Sequence, residues 1–222
     1  MGQMISFARP DGATTRGYLA EAGNGRPGVI VIQEWWGLNE HICGIADRLA
    51  AAGYNALAPD LYRGRLAASS DEAGHLMAAL DFADATHQDL RGAALHLGRN
   101  SGKIGVTGFC MGGALSVAAA VHLPECAAAV CYYGIPPADF ADPAKSRMPF
   151  QGHFAEHDDW CTPALVDALE STLRAAGVRS EIFRYAAAHA FFNETRPEVF
   201  DAACAQLAWQ RTLAFFAQHL GG

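Results

Sequence analysis

Little in this chain would take it to nucleic acid or into a membrane. Against 23 Asp and Glu there are 16 Lys and Arg, a formal net charge of -7 at pH 7, with no basic run. A phosphate backbone or an anionic bilayer is therefore not an expected partner. No apolar stretch reaches the roughly 18 residues of a transmembrane helix. Met1 to Pro10 also lack a basic segment followed by a long apolar one, so the expected setting is the cytoplasm. Cysteines are few and scattered: Cys43, Cys110, Cys126, Cys131, Cys161 and Cys204 show no C-x-x-C spacing. With 222 residues, 51% of them hydrophobic, one α/β domain spanning 1–222 buries enough to need no disulfide staples, and free thiols are expected. Repeats, low-complexity tracts and long linkers are absent too, and nothing specifies an oligomeric state.

What is present alternates. Met4 to Phe7 and Gly17 to Ala22 read as strands around the turn Pro10-Asp11-Gly12. Pro27 to Gln33 is nearly all apolar and β-branched, as a strand buried on both faces must be. Asn39 to Ala52 has helical spacing with Asn39 as cap, Tyr54 to Ala58 is the next strand, and Asp71 to Leu97 reads as two helices. Further strands are expected at Ala127 to Gly134, Met148 to Ala155 and Arg179 to Tyr185. A helix opens at Thr162-Pro163, and a closing helix is introduced by a capping box at Thr195-Arg196-Pro197-Glu198. The alternation predicts an α/β fold, a mostly parallel central sheet with helices on both faces.

The chemistry centres on Gly108-Phe109-Cys110-Met111-Gly112, a G-x-S-x-G nucleophile elbow with cysteine for serine. A strand that turns at once into a helix leaves its middle residue at a helix N-terminus. Orphan N–H groups there favour a thiolate, and the Met111 N–H can meet an oxyanion. After Cys110 come Asp158 and His189, each following a predicted strand, in the order nucleophile, acid, histidine that belongs to α/β-hydrolases. Asp159 is a rival for the acid, one of the two aspartates being free to cap the next helix. His153-Phe154-Ala155-Glu156-His157 matches H-x-x-E-H, but that zinc motif needs a helix and this stretch reads as a strand, so no metal site is expected.

Together Gln33-Glu34-Trp35-Trp36-Gly37, Pro59-Asp60-Leu61-Tyr62, Gly108-Phe109-Cys110-Met111-Gly112-Gly113, Glu156-His157-Asp158 and His189-Ala190-Phe191 resemble the dienelactone hydrolase family of α/β-hydrolases, over nearly the whole chain. The resemblance implies an α/β-hydrolase fold, no cofactor, and a Cys110–His189–Asp158 triad. It also implies an oxyanion hole from the Met111 and Trp35 N–H groups, and Glu34 beside the thiol, keeping it protonated until substrate arrives. The family's named activity opens an enol-lactone, 4-carboxymethylenebut-2-en-4-olide, to maleylacetate. Members working on that substrate resemble one another in an arginine four residues after the histidine, where this chain has Asn193. An amide cannot make a guanidinium's forked contact with a carboxylate. Arg63, Arg65 and Arg196 are the candidate replacements, and Trp36, Arg63, Phe191 and Asn193 are assigned to substrate binding. With Trp35, Trp36, Phe191 and Phe192 lining an apolar pocket, uncharged or aromatic esters and lactones are expected. The competing reading is a non-catalytic ligand-binding or redox-sensing protein with Cys110 as sensor thiol.

Overall fold

The computed structural model describes residues 1–221; Gly222, the last position of the expected domain, lies outside the described residues. At its centre Gly28–Ile32 (β3) is buried at every position, with Val29 and Val31 packing into one layer of core and Ile30 and Ile32 into the other. The remaining strands are Gln3–Ala8 (β1), Thr14–Ala20 (β2), Asn55–Pro59 (β4), Ile104–Phe109 (β5), Cys126–Tyr132 (β6), Phe150–His157 (β7) and Ser180–Ala188 (β8). They form one sheet in the order β1-β2-β4-β3-β5-β6-β7-β8. Only the β1–β2 and β2–β4 pairings are antiparallel. From β4 to β8 every pair is parallel.

Helices Glu40–Ala51 (α1) and Ala202–Leu220 (α7) cover the Val29 and Val31 face. The other face is covered by Ser70–Ala78 (α2), Arg91–Leu97 (α4), Met111–His122 (α5) and Pro163–Ala175 (α6). A mostly parallel sheet sandwiched by helices is what the alternation in the sequence predicts. No helix among the described residues is long and apolar enough to cross a membrane.

Several local expectations hold at their caps. Asn39 accepts from the Ile42 N–H at 3.2 Å, and Thr162, ahead of Pro163, accepts from the Leu165 N–H at 3.4 Å. Thr162 thus starts α6, and neither Asp158 nor Asp159 does. The capping box at Thr195 to Glu198 is a misreading: Asp201 caps α7 by accepting from the Cys204 N–H at 2.8 Å, while the Thr195 hydroxyl is spent on Asn193. Between α2 and α4 a short helix, Phe82–Asp84 (α3), passes through a π-helical turn at Ala85–Leu90. The Thr86 hydroxyl donates to the Phe82 carbonyl there, and the buried Asp89 is turned onto Arg9 and Arg63.

Two histidines are buried for structural reasons. His153 on β7 accepts from or donates to Tyr185, Gln151 and Thr212 at 2.7, 3.0 and 3.1 Å, and burial, reinforced by Arg211, depresses its pKa to about 3. The stretch that matched H-x-x-E-H is thus a strand. His41 on α1 packs against Phe192, has no partner for either ring nitrogen, and is pushed down to about 4 by burial. An unfolded histidine takes its proton near ~6.5, so between there and 4 the unfolded chain binds more protons and stability falls as pH drops. Replacing His41 by Leu removes two unsatisfied atoms and one such proton. Urea unfolding is expected to show the variant about 1 kcal/mol more stable at pH 7.5 and further ahead at pH 5. A gap that does not widen on acidification would show that His41 is not buried in its neutral form.

Candidate active site

Five strand ends meet along one edge of the sheet. Taken in the order β3, β5, β6, β7, β8, they are followed by Glu34, Cys110, Tyr133, Asp158 and His189. This is the carboxyl edge, where open parallel sheets bind ligands.

Cys110 stands between the last residue of β5 and the first of α5, at φ 55° and ψ -116°, half-buried. Its N–H donates to the Tyr132 carbonyl and its own carbonyl accepts from the Ala114 N–H, both at 3.1 Å, so strand and helix both hold the strained residue. Only glycine fits around it. A Cβ on Gly112 would stand 2.5 Å from the carbonyl oxygens of Ile32 and Gln33, and one on Gly108 would overlap the Gly112 backbone. The Met111 and Trp35 N–H groups have no acceptor among the described residues. The Met111 side chain is fixed by the Tyr62 hydroxyl, which donates to its sulfur at 3.3 Å.

His189 donates from Nδ1 to Asp158 Oδ2 at 2.7 Å. Asp158 has a fully buried side chain, and its Oδ1 accepts from the Trp160 and Cys161 N–H groups at 2.8 and 2.9 Å. Burial alone would raise the Asp158 carboxyl, but the imidazole and these two amides hold it below the usual carboxylate range. Burial likewise opposes charge on His189, yet the hydrogen bond to Asp158, with the charge of that carboxylate and of the Cys110 sulfur, outweighs it and lifts the pKa to about 10. Asp159 is exposed and takes no part.

Glu34 is 1% exposed and does not hydrogen-bond Cys110 among the described residues. Instead Oε2 accepts from Asn193 Nδ2 at 2.6 Å and Oε1 from the Tyr133 hydroxyl at 3.3 Å, and burial raises its pKa.

The residues assigned to substrate binding divide. Trp36 is half-buried beside Trp35, ring centroids 5.3 Å apart, with the Arg196 guanidinium 5.6 Å over it. Asn193 is 1% exposed and turned onto Glu34 rather than toward solvent. Phe191 and Phe192 do not line a pocket: after Ala190, at φ 64°, both turn into the core, Phe191 against Tyr133 and Phe192 against Phe109. The Arg63 head group is drawn away by Thr15, the Asp60 carbonyl and Asp89 at 2.9, 3.0 and 2.8 Å. The exposed aromatic ring near His189 is Trp160, 64% exposed, 6.5 Å from the imidazole and 6.0 Å from Trp35. Sequence reasoning gave no role to Trp160 or Tyr133, and used Tyr62 only as part of a family motif. Tyr133 was findable, since it follows a strand as Asp158 and His189 do.

The family model of the dienelactone hydrolase family matches residues 15–220. The chain belongs to that family. A protein of Aquifex pyrophilus called protein usf is 38% identical over 231 residues, covering 99% of this chain and all of that one. A protein of Aquifex aeolicus (strain VF5), provisionally named a carboxymethylenebutenolidase, is 33% identical over 235 residues, covering 99% of this chain and all of the relative. Among solved structures, a provisionally named dienelactone hydrolase from Klebsiella pneumoniae subsp. pneumoniae MGH 78578 is 30% identical, with a TM-score of 0.86 over 99% of this chain and 100% of that one. The fold is that of the α/β-hydrolases, and this dienelactone hydrolase family member is an ester or lactone hydrolase.

The positive φ at Cys110 is strain, costing about 1–3 kcal/mol in a residue with a Cβ. Cys110→Gly is therefore expected to melt a few degrees above Cys110→Ala, which shares the strain and equally lacks the thiol. Equal melting temperatures in calorimetry would mean that the elbow is relaxed.

Proposed function

We propose that the chain hydrolyses small esters or lactones by acyl transfer through a Cys110–His189–Asp158 triad, without a cofactor. The reading rests above all on the 2.7 Å hydrogen bond from His189 to a carboxylate with no exposed side-chain surface, beside a cysteine held at positive φ. Because Asp158 accepts at Nδ1, the other ring nitrogen, Nε2, is the one free to exchange a proton with Cys110. The thiolate sulfur attacks the substrate carbonyl, and the thiol proton passes to His189. The oxyanion is met by the Met111 and Trp35 N–H groups, which have no other acceptor. His189 then protonates the leaving oxygen as the C–O bond breaks. Water, losing a proton to His189, cleaves the thioester, releasing the acid and the free thiol.

The substrate follows from what surrounds the thiol. Trp35, Trp36 and Trp160 offer aromatic surface at the mouth, and Arg63 is held by Asp89. Uncharged esters and lactones, aromatic ones above all, are the expected substrates, and carboxylated lactones are expected to be poorer. With p-nitrophenyl acetate, Cys110→Ala should be inactive, and Asp158→Asn should lose on the order of a thousandfold in kcat. Equal turnover by wild type and Cys110→Ala removes the triad. A matched panel of neutral and carboxylated lactones tests the substrate class: a preference of roughly a hundredfold for the carboxylated members would show that a cation such as Arg196, which lies over the Trp36 ring, reads the substrate.

Trp160→Ala is expected to raise KM for aromatic esters several-fold and leave KM for acetate esters of small alcohols unchanged, because only an aromatic group can stack on the indole. A uniform loss on both classes would remove Trp160 from the binding surface.

A further inference from the structure

Glu34 is buried, and among the described residues no cation is bonded to it. Both of its oxygens are taken by neutral donors, the Asn193 amide at 2.6 Å and the Tyr133 hydroxyl at 3.3 Å, themselves 1% and 0% exposed. The orientation of the Asn193 amide is settled by its other end. Oδ1 accepts from the Thr195 N–H at 3.0 Å and from the Thr195 hydroxyl at 2.7 Å, and a backbone N–H can only donate, so the NH2 must face Glu34.

Asn193 is also bound into the loop that carries His189. Its N–H donates to the Ala190 carbonyl at 2.9 Å, and its carbonyl accepts from the Arg196 N–H at 3.1 Å. The side chain therefore ties the end of β3 to the loop after β8, across the strands that deliver Cys110, Tyr133 and Asp158. An asparagine spent in this way is not free for substrate.

We infer that Asn193 is a positioning residue: with Tyr133 it clamps the Glu34 carboxyl away from Cys110, which leaves the thiol to His189. This rests on the triad reading above, and it departs from the expectation that Glu34 rests against the thiol and suppresses it. Freed of the clamp, Glu34 could rotate toward Cys110. A carboxylate beside the sulfur would oppose the thiolate by like-charge repulsion, and a protonated carboxyl would compete with His189 for it.

The test needs no substrate. Iodoacetamide alkylation of Cys110, followed by mass spectrometry of its own peptide because five other free cysteines are present, is measured from pH 5 to 9. Glu34→Gln keeps the shape of the side chain and is expected to alkylate within about twofold of wild type, since Glu34 is already held off. Asn193→Ala should alkylate about tenfold more slowly at pH 7, with its profile moved to higher pH. Adding Glu34→Gln to Asn193→Ala should restore most of the rate, which no general loss of structure would allow. A resting thiol made several-fold faster by Glu34→Gln alone overturns the inference, and so does a double variant as slow as Asn193→Ala. If Asn193→Ala does not fold, the comparison of wild type with Glu34→Gln still decides. Failure of the triad reading is seen separately, as ester turnover that survives Cys110→Ala.

Discussion

Cys110 is the single residue between the end of a strand and the start of a helix, and much of the site depends on that junction. Two carbonyl-to-amide bonds of 3.1 Å tie it to β6 and α5, and glycines on either side let the helix start press against the β3 carbonyls. Any looser turn would set the sulfur back from the edge and swing the Met111 N–H away from the place proposed for an oxyanion. Strain of this kind persists only where the surroundings over-determine it. Here those surroundings are β3 and β5, buried at every position, and β6, buried at all but one.

The acid and base face a different constraint. A buried carboxylate is costly unless its lone pairs are used, and Asp158 uses one oxygen on two backbone amides and the other on His189. The turn that satisfies Asp158 also sets out Trp160, so the orientation of the imidazole and the exposed indole beside it share a single local structure. Glu34 meets the same cost differently. With only neutral donors around it, burial drives its pKa up, whereas the amides and the imidazole hold that of Asp158 down. Two carboxyl groups at one edge of the sheet thus stand on opposite sides of their ordinary values, an arrangement that separates roles at a reaction centre.

The architecture was legible because it is written in local pattern. Val29 to Ile32 could be nothing but a two-faced strand, the alternation of such runs with amphipathic helices dictates a parallel sheet, and Asn39 and Thr162 mark helix starts by side chains that reach the next turn. Where local pattern misled, tertiary contacts had outbid it. Thr195 has the chemistry of a cap, but Asn193 takes its hydroxyl, and the helix waits for Asp201. The π turn at Ala85–Leu90 has no signature in spacing, because it serves to bring Asp89 onto arginines from distant segments.

By itself the sequence determined the elbow, the chain order cysteine, aspartate, histidine after successive strands, and the aromatic character of the segment after β3, since each depends on residue type and its place beside a local pattern. Only the tertiary structure decided between Asp158 and Asp159, because that choice turns on which carboxyl points inward across a strand separation of 31 residues from His189. It also withdrew Phe191 and Phe192 from the mouth, Arg63 from the thiol and Asn193 from solvent. A phenylalanine, an arginine or an asparagine in a loop carries no mark of which way it will turn. That is settled by partners such as Phe109, Asp89 and Glu34, which are distant in the chain and meet them only when the sheet has formed.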